Sequence, residues 1–195
     1  MNHRHTNILR VYHQSTADEI AAGLQWYAQA HEEAVRLAVS GDWALGRVSI
    51  AAAIIAAVSP GLRWERNIEA AERIIRGEEL TGLGIRWYDG VRKARRILAG
   101  RPPLSVLKGP KVRAFYDCIL DPEHTLSVCI DGHAYSIWAG QRIKLDDIPP
   151  FNDRLYSRIS GDYWAVARHV GIRPCQLQAI TWVTWRRLHV TPVSH

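Results

Sequence analysis

Apolar residues recur at intervals of three and four along most of the chain, and no segment alternates apolar and polar residues as a strand would. This pattern predicts an all-α protein. Helices are expected over about residues 16–39, 45–58, 64–76, 88–98, 104–107, 111–120, 132–139, 152–170 and 174–188. The segment 45–58 is apolar almost all round, which is typical of a central buried helix.

The length of 195 residues fits one domain. We expect a single domain over residues 1–195, in which N-terminal and C-terminal helices pack on a core of about residues 45–140. Hydrophobic residues make up 47% of the chain, which excludes a disordered protein. No apolar run reaches the roughly 18 residues that a bilayer span needs, and no apolar signal region follows the first residues. We therefore expect a cytoplasmic monomer without a membrane partner.

The positive charge is concentrated in one stretch of the chain. Residues 86–113 hold nine bases and one acid, a net charge of +8, whereas the whole chain carries +6. A local excess of this kind favours a polyanion, because each neutralised phosphate releases counterions. The alternative is a solvated basic helix.

Cysteine and histidine spacing gives no sign of a metal centre. Cys118, Cys129 and Cys175 are an odd number without a CxxC pair, and His133 has no second ligand at a suitable spacing. The sequence therefore predicts no metal, no metal cluster and no cofactor.

Two short predicted helices flank the pentapeptide Leu-Lys-Gly-Pro-Lys at residues 107–111. Gly109 allows a tight hairpin, and Pro110 fits the first turn of the second helix. Such a hairpin directs backbone N–H groups outward at a helix N-terminus, where phosphate binds readily. The same pentapeptide is also typical of an ordinary corner between two helices.

The placement of this hairpin resembles that in the helix-hairpin-helix superfamily of DNA glycosylases. In that family a hairpin LPGVGxK precedes an aspartate in a VDxH motif that caps the next helix. Here Val-Cys-Ile-Asp-Gly-His follows at residues 128–133, and twenty positions separate Lys111 from Asp131. The helix that ends near Ser59 resembles the buried helix of the family, and the helix that contains Lys93 and Ala94 resembles a further helix of the family. These features follow one another along the chain in the same order as in the family. The hairpin is two residues shorter than the family's form, and the iron–sulfur cysteines of one branch are absent.

The resemblance implies a helix-hairpin-helix DNA glycosylase-like helical bundle, with DNA as the partner and a bacterial or phage-infected cell as the setting. It implies a base-flipping hydrolase that excises a modified or damaged base, with or without lyase activity. Lys111 and Asp131 are the catalytic candidates. Attack of the Lys111 amine on the deoxyribose C1′ would expel the base and leave a Schiff base.

Physical arguments support both candidates. A helix macrodipole disfavours a cation at its N-terminus, which favours the neutral, nucleophilic amine of Lys111. Asp131 would stabilise the cationic sugar as the glycosidic bond breaks and could help to deprotonate Lys111. The competing interpretations are a solvated lysine and an aspartate that only caps its helix.

Two further groups of residues are predicted to contact DNA. The binding group consists of Leu107, Lys108, Gly109, Arg113, Lys93 and Arg63. The base pocket or wedge consists of Leu62, Trp64, Tyr88, His133 and Tyr135. For the second group the alternative is structural, since aromatic residues at helical spacing are typical of a core and His133 could simply orient the start of a helix.

Two other functions fit the same residues. The first is a transferase that adds a group to a pyrimidine in DNA, because some relatives of the superfamily are implicated in phage DNA hypermodification. The second is a DNA-binding module without catalytic activity, because the basic stretch and the hairpin alone would suffice for DNA binding.

Overall fold

The computed structural model describes residues 2–40, 47–80 and 88–189. Within these ranges the chain is helical and contains no strand, so the predicted all-α class is confirmed. The α-helices are α1 His3–His13, α2 Ala17–Ser40, α3 Val48–Val58, α4 Trp64–Ile75, α5 Tyr88–Leu98, α6 Pro103–Val106, α7 Pro110–Leu120, α8 Gly132–Ala139, α9 Asp153–Val170 and α10 Pro174–His189. A short 3₁₀ helix lies at Leu145–Asp147. None of the described helices is long and apolar enough to cross a membrane.

Most helix bounds agree with the sequence pattern, and α5 and α8 agree to the residue. The pattern missed α1, which has only three buried apolar positions in eleven residues. Its N-terminus is fixed by Asn2, whose side chain accepts hydrogen bonds from the amides of Arg4 and His5. The start of the predicted 45–58 helix is partly outside the described residues, since α3 is described only from Val48.

The chain divides into two compact units. The first unit comprises residues 1–27 and 124–195, and the second comprises residues 28–123, with the division falling inside α2. The predicted core of about residues 45–140 is thus shared between them, because residues 124–140 belong to the first unit.

The second unit is built around α3. Every residue from Ala51 to Val58 is buried, and α3 packs against α4, α5, α6 and α7. The prediction of a central buried helix is confirmed for its described part. Gly90 brings α5 close to α3, because a Cβ there would lie 2.5 Å from the carbonyl oxygen of Ala57. Any larger residue at position 90 would force the two helices apart.

The first unit packs α1, α8, α9 and α10 against one another. Within this unit the start of α2 is held by a capping box, in which Thr16 Oγ1 accepts from the Glu19 amide and Glu19 Oε2 accepts from the Thr16 amide. Arg187 of α10 donates to both oxygens of Glu19, at 2.6 and 3.1 Å. This ion pair ties the beginning of α2 to the end of the C-terminal helix.

Candidate functional site

The predicted hairpin lies in the second unit, between α6 and α7. Leu107 is fully buried and anchors it, and Gly109 adopts φ +82° immediately before Pro110 opens α7. A Cβ on Gly109 would meet nothing within 4 Å, so the glycine is needed for its backbone conformation and not for space. The sequence therefore predicted the turn chemistry of this corner as the structure has it.

Arg113, on the first turn of α7, holds the hairpin to the end of α6. Its Nε donates to the carbonyl of Leu107 at 3.0 Å, and its Nη2 donates to the carbonyl of Leu104 at 3.1 Å. These bonds satisfy carbonyl groups at the C-terminal end of α6, where a helix has no internal partner for them. Arg113 was predicted to contact DNA, and here its guanidinium group holds the turn together.

Lys108 and Lys111 present their amines near this turn in different ways. Lys108 is exposed, whereas Lys111 is half-buried at the second residue of α7. The first internal hydrogen bond of α7 runs from the Arg113 amide to the carbonyl of Gly109, so the amides of Lys111 and Val112 precede it. The hairpin thus combines two cations with the positive end of a helix dipole.

The α5 helix adds further positive charge to the second unit. Asp89 is shared by Arg92 at 2.6 Å and Lys93 at 2.7 Å. Hydrogen bonds from Lys93 and then Arg92 lower the pKa of the Asp89 carboxyl below its usual range. Lys93, another predicted DNA contact, is half-buried, and its amine is engaged by Asp89.

Two arginines of α5 have no such partner. Arg95 and Arg96 are exposed, and in the described ranges no carboxylate lies within 4 Å of either. They line a shallow surface groove of about 390 Å³, together with Val91, Arg92 and Ala99. The lining of this groove thus combines three arginines with two apolar residues.

The turn that was predicted to hold a wedge connects α3 and α4. It is closed by a hydrogen bond of 3.2 Å from the Leu62 amide to the carbonyl of Ser59. Leu62 and Trp64 are half-buried and Arg63 is exposed. Arg63 is the N-cap residue of α4, and its side chain makes no capping hydrogen bond.

Asp131 lies in the first unit at the N-cap of α8. Its Oδ1 accepts from the Ala134 amide at 2.8 Å, which confirms the predicted cap. The segment before it is held by the buried Tyr156, whose hydroxyl accepts from the Ile130 amide and donates to the carbonyl of Val128. The position of the Asp131 carboxylate is therefore fixed from both sides.

Tyr163 of α9 is completely buried. Burial raises the pKa of the Tyr163 hydroxyl and outweighs the hydrogen bond with Thr181, which lowers that pKa, while the negative charge of Asp131 adds a smaller raising effect. The phenol therefore stays protonated and donates to the carbonyl of Ala134 at 3.5 Å. It supports the first turn of α8 as a neutral group.

The pocket candidate Tyr135 packs against the aromatic rings of Trp138 and Phe151. The Tyr135 ring lies 5.8 Å from the Trp138 ring and 5.9 Å from the Phe151 ring, between centroids. Tyr135 and His133 are both half-buried near the start of α8. The side chain of Tyr88 lies outside the described residues, although its backbone begins α5.

The two predicted catalytic residues belong to different units, Lys111 to the second and Asp131 to the first. Of the other predicted residues, those numbered 62–113 lie in the second unit and His133 and Tyr135 lie in the first. In the described parts of the chain, no group of three or more His, Cys, Asp or Glu residues could hold a metal ion.

Sequence reasoning missed a cluster at the junction of α1, α8 and α9. Asp162 accepts from the Trp138 indole at 2.7 Å and pairs with His5 Nε2 at 2.7 Å. The guanidinium group of Arg4 stacks over the Trp138 ring, 4.1 Å from its centroid. Burial acts to raise the pKa of Asp162, but the hydrogen bonds from Trp138, His5 and Asn2 outweigh it and lower that pKa. No spacing in the sequence connects these residues.

Comparison with protein families gives one match, to a family of unknown function (DUF7178), over residues 1–189. No curated protein matches the chain, and no solved structure matches it.

Proposed function

We infer a function from the residues themselves, because the chain belongs to this family of unknown function and family membership assigns it no activity. We propose that the protein binds DNA through the basic surface of its second unit and acts there as a DNA N-glycosylase. The observation that carries the proposal is the set of exposed cations around the hairpin and α5 that have no ion-pair partner among the described residues: Arg95, Arg96, Arg101 and Lys108. Exposed cations of this kind neutralise phosphates and release counterions.

The hairpin gives this surface a defined shape. Arg113 holds the carbonyls of Leu104 and Leu107, and Gly109 supplies the required backbone conformation. A phosphate is favoured near the start of α7, where the helix dipole stabilises an anion. The arginines of α5 extend the positive surface along the same unit.

The chemistry that we propose begins with the side-chain amine of Lys111 as the nucleophile. Its Nζ attacks C1′ of the target deoxyribose while the N-glycosidic bond breaks, and the base leaves with the bonding electron pair and takes up a proton. The proton lost from Nζ passes to water, and the resemblance gives Asp131 the role of stabilising the cationic sugar. The product is a glycosylamine, whose C1′–O4′ bond then breaks as O4′ takes up a proton, which leaves an iminium between Nζ and C1′. The iminium is hydrolysed or undergoes elimination of the 3′ phosphate, which would give lyase activity. The support for this step is the resemblance of residues 107–111 and 128–133 to the glycosylase motifs.

DNA binding is tested with fluorescently labelled oligonucleotides at several salt concentrations. The double variant R95A/R96A should bind at least tenfold more weakly and lower the slope of log K against log salt by about 2, since each phosphate contact contributes about 0.9. The control is Arg76→Ala, an exposed arginine of the same unit that is paired with Glu72 at 2.6 Å. Equal losses in both variants would contradict a specific surface on α5.

The nucleophile is tested by borohydride trapping on oligonucleotides that contain modified bases or abasic sites. Lys111→Arg keeps the positive charge but cannot form a Schiff base, so it should bind DNA and give no trapped complex. Lys108→Ala is the matched control in the same hairpin and should still be trapped. If the wild-type protein binds DNA but is never trapped and never excises a base, the protein is a binding module. A gain of mass on the nucleosides would instead indicate a base-modifying transferase.

A further inference from the structure

The α9 helix contains a glycine that the fold does not require. Gly161 lies in the middle of this 18-residue helix, is exposed, and has an ordinary helical φ. A Cβ at this position would meet nothing within 4 Å. Glycine weakens a helix relative to alanine, so an unforced glycine here lowers the stability of the free protein. Its absent side chain leaves the helix backbone open to close approach from outside.

The residues that share a face with Gly161 are mainly arginines. Positions separated by four, three, four and three residues line up along one side of a helix. On α9 these positions are Arg154, Arg158, Gly161, Ala165 and Arg168. We call this set the arginine face of α9.

The arginines of this face are not used by the fold as ion-pair partners. All three are exposed, and in the described ranges no carboxylate lies within 4 Å of them. Arg158 only approaches the Trp138 ring, at 5.6 Å from its centroid. The nearby acid Asp162 is already held by His5 and Trp138.

The C-terminal end of the arginine face continues into a groove. His5, Ala165, Arg168 and His169 line a shallow depression of about 330 Å³. Beside the face, Trp164 is 37% exposed, and its indole is fixed by a hydrogen bond of 2.9 Å to the carbonyl of Leu126. The surface thus combines cations, an open backbone and an aromatic edge, which is the composition of surfaces that follow a nucleic-acid strand.

We propose that the arginine face of α9 is a second DNA-binding surface, on which phosphates contact Arg154, Arg158 and Arg168 and a strand passes close to the helix at Gly161. The choice of DNA as the polyanion rests on the proposed function. The surface itself lies in the first unit and uses none of the residues of the hairpin or α5. The argument for this occupant is charge complementarity together with the unforced glycine.

The charge requirement is tested with the full chain and labelled single-stranded and duplex oligonucleotides. The triple variant R154A/R158A/R168A should bind at least tenfold more weakly and lower the salt slope by about 3. The control triple R142A/K144A/R186A removes the same charge from exposed positions on other segments of this unit, and it should lose less than threefold. Comparing the two oligonucleotides shows which form of DNA this surface favours.

The close approach is tested by Gly161→Ala. This variant should melt at a higher temperature than the wild type and yet bind DNA three- to tenfold more weakly, because the methyl group blocks the strand. Ser157→Ala, one turn earlier, also favours the helix but adds no bulk, and it should not weaken binding. A purely structural role of Gly161 would not combine greater stability with weaker binding.

The outcomes separate this inference from the proposed function. If Gly161→Ala binds as the wild type does and the two triple variants lose equally, the arginine face is only solvated, and the inference is wrong. If the α9 variants weaken binding while R95A/R96A does not, this inference stands and the proposed surface on α5 falls. If the wild-type chain binds neither oligonucleotide, both proposals are wrong.

Discussion

The arginines of α4 and those of α9 have the same chemistry but different partners. On α4, Arg66 and Arg73 pair with Glu69 at 3.0 and 2.8 Å, and Arg76, the C-cap residue of α4, pairs with Glu72 at 2.6 Å. On α9, none of the three exposed arginines has a carboxylate within 4 Å in the described part of the chain. The positions of the acids, and not the number of bases, therefore decide which arginines remain available to a ligand.

The same contrast separates residues that stabilise the fold from residues that we propose to bind DNA. Replacing a paired charge should lower stability, whereas replacing an exposed and unpaired arginine on α5 or on the arginine face of α9 should lower DNA affinity alone. The following predictions test this division, beginning with the largest effect.

Arg187 has several partners: it donates to both oxygens of Glu19 and to the carbonyl of Gln14. Arg187→Ala should lower the free energy of unfolding more than the other substitutions below, because the largely buried Glu19 carboxylate loses both guanidinium donors and keeps only the Thr16 amide and the Thr184 hydroxyl. Urea denaturation measures this loss. The neighbouring Arg186→Ala removes the same charge and should stay within about 0.5 kcal/mol of the wild type. Equal effects of the two substitutions would remove the basis of the comparison.

The Glu19 pair also predicts a dependence of stability on pH. The hydrogen bond from Arg187 lowers the pKa of Glu19 below 4.5, against the opposing effect of burial. A carboxyl with a lowered pKa in the folded state contributes stability above its unfolded pKa and loses it as the pH falls through the folded value. The difference in stability between wild type and Glu19→Gln should therefore be largest near neutral pH and shrink below about pH 4.5. A constant difference from pH 7 to pH 3 would contradict the assignment.

Asp131 belongs to both groups of residues, because it caps α8 and is also proposed to act in catalysis. Asp131→Ala should cost about 1 kcal/mol of stability, whereas Asp131→Asn keeps a capping oxygen and should cost almost nothing. Both variants should lose base excision. Asn152→Ala is the control, since it removes the equivalent cap of α9, which accepts from the Leu155 amide at 2.8 Å. It should lose similar stability and keep excision, so a matching loss of activity would reduce Asp131 to a structural cap.

The smallest effect is expected for Arg66→Ala on α4. Exposed ion pairs between positions three or four apart on a helix contribute about 0.3–0.5 kcal/mol. The melting temperature should therefore change little, and the DNA affinity should stay within twofold of the wild type. A loss of affinity as large as that of the α9 triple variant would show that pairing does not decide which arginines bind.

The sequence carried most of the helical architecture, because apolar periodicity and glycine or proline breaks are local signals. The bounds of α5 and α8, the buried α3 and the turn at Gly109 all follow from such signals. The helix α1 did not, since its three buried apolar residues are too few to stand out from its polar positions. It depends on packing against α8, α9 and α10, which are distant in sequence.

The candidate sites were less predictable because they depend on pairing between side chains. The sequence gives Lys93 and Arg113 the same weight as Lys108, but Lys93 pairs with Asp89 and Arg113 holds two carbonyls. The arginine face of α9 has a periodic signal that a charge pattern at helical spacing could have detected. Its availability also requires knowing that Asp162 is bound by His5 and Trp138, and only the folded chain provides that.

The hydrogen bonds from Arg113 to the carbonyls of Leu104 and Leu107 influence how fast the hairpin would bind a ligand. A turn that is already ordered in the free protein loses little conformational entropy on binding, so less of the interaction free energy is spent on ordering it. Encounter should then be governed by diffusion and electrostatic steering, and not by a slow rearrangement of the loop.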